Sequence, residues 1–168
     1  MWKVRPFGQD VSGGQMTLEE ERADRFMDSV LHLFAVGPTR FSEPLVKPRI
    51  EVVAETRSDR WAQYDCATRT ITVFGDRPSR LERTMVHELV HAWVHQCEEA
   101  HVIGPLKYPH GPTFQDKLAR VYHRLGWGVP TQQDRTCHDT PEDMSSGVPL
   151  IMDLWPTALR GSGPPEEA

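Results

Sequence analysis

Apolar residues recur at helical spacing in three stretches of the chain. The first stretch opens with a capping box at residues 17–20 and ends at Gly37 and Pro38. The second opens with a capping box at residues 79–82 and runs to about residue 98 or 99, and the third follows Pro112. The pattern therefore predicts three amphipathic helices. Their apolar positions are Leu18, Phe26, Met27, Val30, Leu31 and Phe34, then Leu81, Met85, Val86, Leu89, Val90, Trp93, Val94 and Cys97, and last Phe114, Leu118, Val121, Tyr122 and Leu125.

Three short segments between the first two helices have the composition of β-strands. They cover residues 50–54, 61–66 and 70–74, and a tight connection at residues 67–69 joins the last two. We expect them to form a short three-stranded antiparallel sheet. The order helix, three strands, two helices and a mostly irregular C-terminal stretch predicts an α+β fold in one domain.

The second predicted helix carries the motif His87-Glu88-Leu89-Val90-His91 in its middle. Residues four apart lie one turn apart on the same helical face, so both imidazoles can reach one cation. Glu88 is rotated by about 100° from His87, which places its carboxylate beside the metal, where it can take a proton from a water molecule at the ion. Zinc lowers the pKa of such a water to about 7. The spacing thus predicts a zinc hydrolase with Glu88 as its acid/base.

A catalytic zinc also needs a third protein ligand and an open fourth position. The downstream candidates are His95, Glu98, Glu99, His101, His110 and Asp116. His95 lies one turn beyond His91, out of easy reach of the same ion, and the two glutamates lie further still. Six residues after His91 the chain has Cys97 rather than a histidine. His110 precedes Gly111 at the start of the third helix, where it can face the metal helix across a loop, so we predict it to be the third ligand.

Other side chains near the motif have two interpretations each. Asp116 could hold a ligand imidazole in one tautomer, or it could stabilise the N-terminus of its helix. Tyr108 and Tyr122 could stabilise an oxyanion, although packing is the favoured interpretation of both. For His101 and His138, a place in an ordinary loop is favoured over a role near the substrate.

Composition bounds the remaining possibilities. The 168 residues are 38% hydrophobic and 26% charged, which is typical of a globular protein. No apolar run is long enough to cross a membrane, and the N-terminus lacks the apolar middle of a signal peptide. We therefore expect a cytoplasmic protein without a membrane partner. The three cysteines form no CxxC pair, which argues against a disulfide framework and against a cysteine-based zinc ribbon.

The net charge of −5 is concentrated at one end of the chain. Residues 1–131 carry 17 basic and 17 acidic side chains, so the whole excess lies in residues 132–168. This balance excludes a strongly basic nucleic-acid binder, although local basic clusters occur around Arg80 and Lys117. We divide the chain into a flexible lead-in at residues 1–16, a metallopeptidase domain at 17–140 and an acidic, Pro/Gly-containing extension at 141–168 that ends in disorder.

The two parts of the predicted metal site together resemble the SprT-like metallopeptidases, the family that includes the Spartan protease. The resemblance rests on HELVHAWVH at residues 87–95 and on YPHGPTF at residues 108–114, which is similar to the family's HGxxF motif. The strand at residues 70–73 and the segments 126–130 and 135–138 are also similar to the family. The resemblance covers roughly residues 18 to 138.

This resemblance implies a ligand set, a fold and a class of substrate. His87, His91 and His110 would bind one catalytic Zn²⁺, and Glu88 would be the catalytic acid/base. The fold would be a small zincin-like domain whose last strand flanks an extended peptide substrate. Family members of this kind are linked to proteolysis of proteins crosslinked to DNA.

Our leading hypothesis is a zinc-dependent endopeptidase that hydrolyses peptide bonds in a protein or peptide substrate, with DNA-associated or DNA-crosslinked proteins as one substrate class. An extended peptide would pair with an exposed strand edge near residues 70–74. The alternative is a zinc-stabilised, nucleic-acid-associated module without peptidase activity, which the basic clusters motivate and the intact Glu88 disfavours. Overall charge does not support DNA binding, and the sequence leaves the oligomeric state open.

Overall fold

The protein was analysed as a computed structural model that describes residues 16–38, 40–57, 59–75 and 78–137. It is α+β, as predicted. The elements in chain order are α1 (Leu18–Val30), β1 (Arg49–Val53), β2 (Ala62–Asp65), β3 (Thr70–Phe74), α2 (Leu81–Glu99), α3 (Pro112–Arg124) and α4 (Gln132–Thr136). The predicted C-terminal extension, and the predicted lead-in apart from Met16, lie outside the described residues. Within the described ranges, no helix has both the length and the apolar character needed to cross a bilayer.

One of the two predicted capping boxes forms. At the start of α1, the Thr17 hydroxyl accepts a hydrogen bond from the Glu20 N–H at 3.2 Å, and the Glu20 carboxylate accepts one from the Thr17 N–H at 2.8 Å. The box predicted at residues 79–82 is wrong. A 3₁₀ turn at Pro78–Arg80 precedes α2, Arg80 is the N-cap without a side-chain hydrogen bond, and Glu82 pairs with Arg22 at 2.6 Å instead.

The sheet is mixed rather than antiparallel, with strand order β1-β3-β2. The hairpin of β2 and β3 is antiparallel as predicted, whereas β1 pairs with β3 in parallel. Residues 54–61 link β1 to β2 in the chain. At the end of β3, Val53 O accepts from Gly75 N at 2.9 Å and Trp61 O accepts from Phe74 N at 2.8 Å. Eight residues easily span the roughly 10 Å between alternate strands. The local pattern identified each strand, but it contained no information on the direction of this long-range pair.

The two outer edges of the sheet differ. On β1, the Val52 N–H donates to the Glu20 carboxylate of α1 at 3.2 Å, so α1 covers this edge. On β2, residues 61, 63 and 65 lie opposite residues 74, 72 and 70 of β3, and the bond from Phe74 N to Trp61 O identifies these as the hydrogen-bonded pairs. The backbone groups of Ala62 and Tyr64 therefore point away from β3, toward α2.

Helix α2 is the centre of the core. It contacts α1, β2, α3 and α4, and its side chains at Met85, Val86, Leu89 and Val90 are fully buried. Phe34 and Met27 from the α1 side, Ile71 from β3 and Phe114 from α3 complete this core. The predicted metal motif thus lies on a helix that is packed on several sides, which holds its turns in a fixed position.

Lys117 is a half-buried cation next to this core. Its ammonium donates to the Leu33 carbonyl at 2.7 Å and lies 4.7 Å from the ring centroid of Trp93 and 5.4 Å from that of Phe34. Burial lowers the pKa of Lys117 from 10.5 to about 8. Between these two pH values the unfolded chain holds a proton that the folded chain has released.

Replacing Lys117 by Met is expected to change how stability depends on pH. Because the unfolded state binds more protons between pH 8 and 10.5, the free energy of unfolding of the wild type should rise across this window relative to that of Lys117→Met. Below about pH 8, Lys117 is protonated in both the folded and the unfolded wild type. The difference in free energy of unfolding between the wild type and Lys117→Met should therefore stay constant there. Urea unfolding at a series of pH values measures this; parallel curves from pH 7 to 10.5 would contradict the shift.

Candidate metal centre

Three histidines converge at one point between α2 and the start of α3. His87 and His91 lie one turn apart on α2, and His110 precedes the N-cap of α3. Their Nε2 atoms are 3.2 Å (His87 to His91), 3.0 Å (His87 to His110) and 3.0 Å (His91 to His110) apart. A tetrahedral zinc with Zn–N bonds of about 2.0–2.1 Å separates its ligand nitrogens by about 3.3 Å. The three imidazoles therefore match the spacing that a metal ion requires, and they are one of the groups in the described residues that could hold one.

The tautomer of His87 follows from its other nitrogen. Its Nδ1 forms a buried hydrogen bond of 2.7 Å with the backbone carbonyl oxygen of Asp134. A carbonyl oxygen can only accept, so Nδ1 carries the proton and Nε2 of the neutral ring presents a lone pair. This arrangement is the usual way in which proteins orient a metal-binding histidine.

The loop before α3 is held so that His110 faces α2. The Gly111 N–H donates to the Tyr108 carbonyl at 3.1 Å, and a Cβ at Gly111 would lie only 3.1 Å from that oxygen, which explains the glycine in this turn. The Gln115 amide donates to the His110 carbonyl at 3.2 Å. Further back, the Leu106 N–H donates to the Glu98 carboxylate at 2.9 Å, which ties the loop to the end of α2.

Phe114 forms the apolar side of the centre. Its ring centroid lies 4.8 Å from those of His87 and His110 and 4.5 Å from that of His91, and the ring is fully buried. Burial, with a smaller contribution from His110, lowers the pKa of His91 to about 3. The ring is therefore neutral at physiological pH, which is the form that binds metal ions.

Glu88 lies beside the three histidines and is only 3% exposed. Burial raises the pKa of its carboxyl to about 8, opposed by a hydrogen bond from the backbone of Tyr64 and by the positive charge of Arg60. A carboxyl that is buried at the edge of such a site can exchange a proton with a molecule bound there.

The centre opens into a cleft of about 650 Å³. Its walls are β2, α2, the loop before α3 and the end of α4, with Arg60, Tyr64, Glu88, His91, His110 and Cys137 among the lining residues. The prediction of a free strand edge near residues 70–74 is wrong, because β3 is paired on both sides. The edge that borders the cleft is β2, whose outward backbone groups at Ala62 and Tyr64 face α2.

The other sequence candidates lie elsewhere. His95 contacts Tyr64, with 3.1 Å from Nδ1 to the Tyr64 hydroxyl, and Glu99, with 3.4 Å from Nε2 to the carboxylate. Asp116 pairs with Arg120 at 2.8 Å, and His101 is exposed at the end of α2. Of the two tyrosines, Tyr122 is fully buried in the core, whereas Tyr108 is 44% exposed beneath the ammonium of Lys107. His138 lies outside the described residues.

Sequence reasoning missed α4 and its Asp134. The Asp134 carboxylate is fully buried, binds Arg83 at 2.9 Å and accepts from the Thr131 N–H at 2.9 Å, while its own N–H donates to the Thr131 hydroxyl. Thr131 and Asp134 have the spacing of a capping box, so this helix start was detectable in the sequence. The contact of the Asp134 carbonyl with His87 was not detectable in the sequence, because it depends on packing between α4 and α2.

Comparison with known proteins supports one of the sequence predictions. No curated protein and no solved structure matches the chain. Residues 71–138 match the model of the SprT-like family, a segment that contains β3, the three histidines, Glu88 and α4. The resemblance to this family that the sequence predicted is thereby confirmed over residues 71–138.

Proposed function

We propose that this chain is a zinc-dependent endopeptidase. The observation that carries the proposal is the convergence of three imidazole Nε2 atoms beside the buried Glu88 carboxyl, in the wall of a cleft. Three histidines with access from a cleft are the ligand pattern of a catalytic zinc, whereas structural zinc sites have four protein ligands.

The residues divide the chemistry among them. His87, His91 and His110 would hold the ion, and Asp134, through its carbonyl, keeps His87 in the tautomer that can bind. Bound zinc lowers the pKa of a water molecule to about 7 and polarises a carbonyl. Glu88 takes a proton from the attacking water and gives it to the leaving amine as the C–N bond breaks.

The substrate that fits this cleft is an extended peptide. The edge of β2 turns the backbone groups of Ala62 and Tyr64 toward the centre. Since the backbone of Tyr64 already donates a hydrogen bond to Glu88, an added strand would bind through the other main-chain groups of this edge. Such pairing needs a stretch of chain without its own secondary structure. We therefore propose unfolded or loosely folded protein segments as the substrate.

Proteins associated with DNA, or crosslinked to it, are proposed as a substrate class through the family resemblance alone. Three of the basic side chains in the clusters that motivated a nucleic-acid module make contacts within the protein: Arg83 with Asp134, Lys117 with the Leu33 carbonyl and Arg120 with Asp116. They give no support to the alternative of a module without peptidase activity.

The purified protein is expected to contain about one zinc ion per chain and to cleave a denatured protein such as casein. A chelator should remove both the zinc and the cleavage, and added Zn²⁺, but not Mg²⁺, should restore cleavage, since imidazole ligands disfavour magnesium. Zinc content by elemental analysis and cleavage by gel measure this.

The same assays distinguish the alternative when they are run with and without single-stranded DNA and with a DNA-crosslinked protein. If zinc-loaded protein cleaves none of these substrates and instead binds DNA with a steep salt dependence, the module without peptidase activity is correct.

A further inference from the structure

Cys137 is a buried thiol in the wall of the metal centre that the proposed peptide hydrolysis does not use. It is 3% exposed and follows α4 with φ 54 and ψ 39, a left-handed conformation that glycine or asparagine usually occupies. Its carbonyl accepts from the Trp61 N–H at 3.0 Å, and the Thr84 hydroxyl hydrogen-bonds to its sulfur. The backbone of residue 137 is therefore fixed from both sides, and its thiol has a defined position.

That position adjoins the general base. One ligand atom each of His87, Glu88 and Cys137 lie within 4.8 Å of one another, and all three residues are buried. Glu88 and Cys137 both line the cleft, so an ion can reach them from solvent. This cluster shares His87 with the three-histidine centre but lies on the Glu88 side of it.

The Glu88 carboxylate and the Cys137 thiol together favour one class of ligand. An ionised carboxylate and a thiolate together supply two negative charges, which neutralise a divalent cation in a buried place. A thiolate selects borderline or soft ions such as Zn²⁺ and Cd²⁺ over Mg²⁺ and Ca²⁺. On binding, the thiol proton is released and a metal–sulfur bond forms.

We infer that Glu88 and Cys137 form a second, inhibitory site for a thiophilic divalent ion, next to the three-histidine site. The Nε2 atom of His87 stays with the first ion, and water completes the coordination of the second. With two protein ligands the second site is weaker than the first, so it fills only when the ion is in excess. The inhibitory effect rests on the proposed function, because an ion bound to Glu88 blocks the proton transfer by this residue. Binding of the second ion does not depend on the proposed function.

The binding test uses Cd²⁺ as the probe, because a cadmium–thiolate bond absorbs in the ultraviolet. Protein that holds one equivalent of zinc is titrated with Cd²⁺ in the Cys66→Ser background, which removes the exposed thiol, while Cys97 is buried in the core. A saturable band is expected. It should be lost in Cys137→Ala and in Cys137→Gly, the second of which suits the left-handed backbone, and kept in Cys97→Ser.

The inhibition test compares cleavage at one equivalent and at an excess of Zn²⁺, each protein being normalised to its own activity at one equivalent. Saturating the second site should lower the cleavage rate of the protein with Cys137 by about 10²-fold, whereas the cleavage rate of the Cys137 variants should fall by less than about twofold. Absence of the cadmium band in the Cys66→Ser protein, or its survival without Cys137, overturns the site. Equal inhibition with and without Cys137 overturns its inhibitory role. A protein without peptidase activity that still shows the Cys137-dependent band would refute only the proposed function.

Discussion

Glu88→Gln is expected to abolish peptide hydrolysis while zinc stays bound. The glutamine side chain has nearly the same shape, and its carbonyl oxygen can accept the hydrogen bond from the Tyr64 backbone that the carboxylate accepts. It cannot take up a proton, so the rate should fall by about 10²–10⁴-fold, the usual contribution of a general base. The measurements are kcat/KM on a denatured protein and the zinc content of the same sample.

Glu82→Gln is the matched control for this experiment. It makes the same change on the same helix, but at the first turn, where Glu82 pairs with Arg22 on the surface. This variant should lose stability by at most about 1 kcal/mol and keep its activity. If Glu88→Gln cleaves as fast as Glu82→Gln, then Glu88 is not the general base and the proposed mechanism is wrong.

His91→Ala is expected to lose tight zinc binding. Structural zinc sites with four ligands bind with about 10–16 kcal/mol, so removing one ligand should cost about 3–4 kcal/mol, or several hundred-fold in Kd. Peptidase activity at limiting zinc should fall with it. Because a ligand that binds only the folded state raises its stability, the increase in Tm on adding zinc should also shrink. Competition with a chromogenic chelator and thermal unfolding with and without zinc measure these effects.

His95→Ala is the control that separates a ligand from a neighbour. His95 was one of the downstream candidate ligands and follows His91 by one further turn, but in the structure it contacts Tyr64 and Glu99. Zinc affinity should therefore be unchanged in His95→Ala. Loss of zinc from His95→Ala with retention in His91→Ala would place the metal at His95 without His91 and contradict the centre described above.

The local features of the site were predictable because each depends on a short stretch of chain. The i, i+4 spacing of His87 and His91 places both on one helical face wherever that helix packs. His110 could be selected as the candidate third ligand because Gly111 and Pro112 predict a tight turn and a helix start directly behind it, and both are present. Phe114 was expected on the apolar face of the same helix, and it lies against all three histidines.

The residues that sequence reasoning missed act through distant parts of the chain. Asp134 is 47 residues from His87, and the contact uses a backbone carbonyl, which every residue type has. Asp116 was a reasonable candidate for the same task because it is an acidic residue close to the third ligand in sequence, but α3 directs it toward Arg120 instead. Cys137 looked like an isolated cysteine until α4 placed it beside Glu88.

The sequence by itself determined the histidine motif, the candidate third histidine, the helices that carry them and the α+β class. These follow from helical periodicity, capping residues and turn residues, which act over a few positions. The tertiary structure alone decided that β1 pairs in parallel, that β2 rather than β3 borders the cleft, and that α4 places the Asp134 carbonyl at His87 and Cys137 near Glu88. These features depend on which buried surfaces pack together between segments that are tens of residues apart in sequence. A pattern of neighbouring residues does not contain the free energy of such packing.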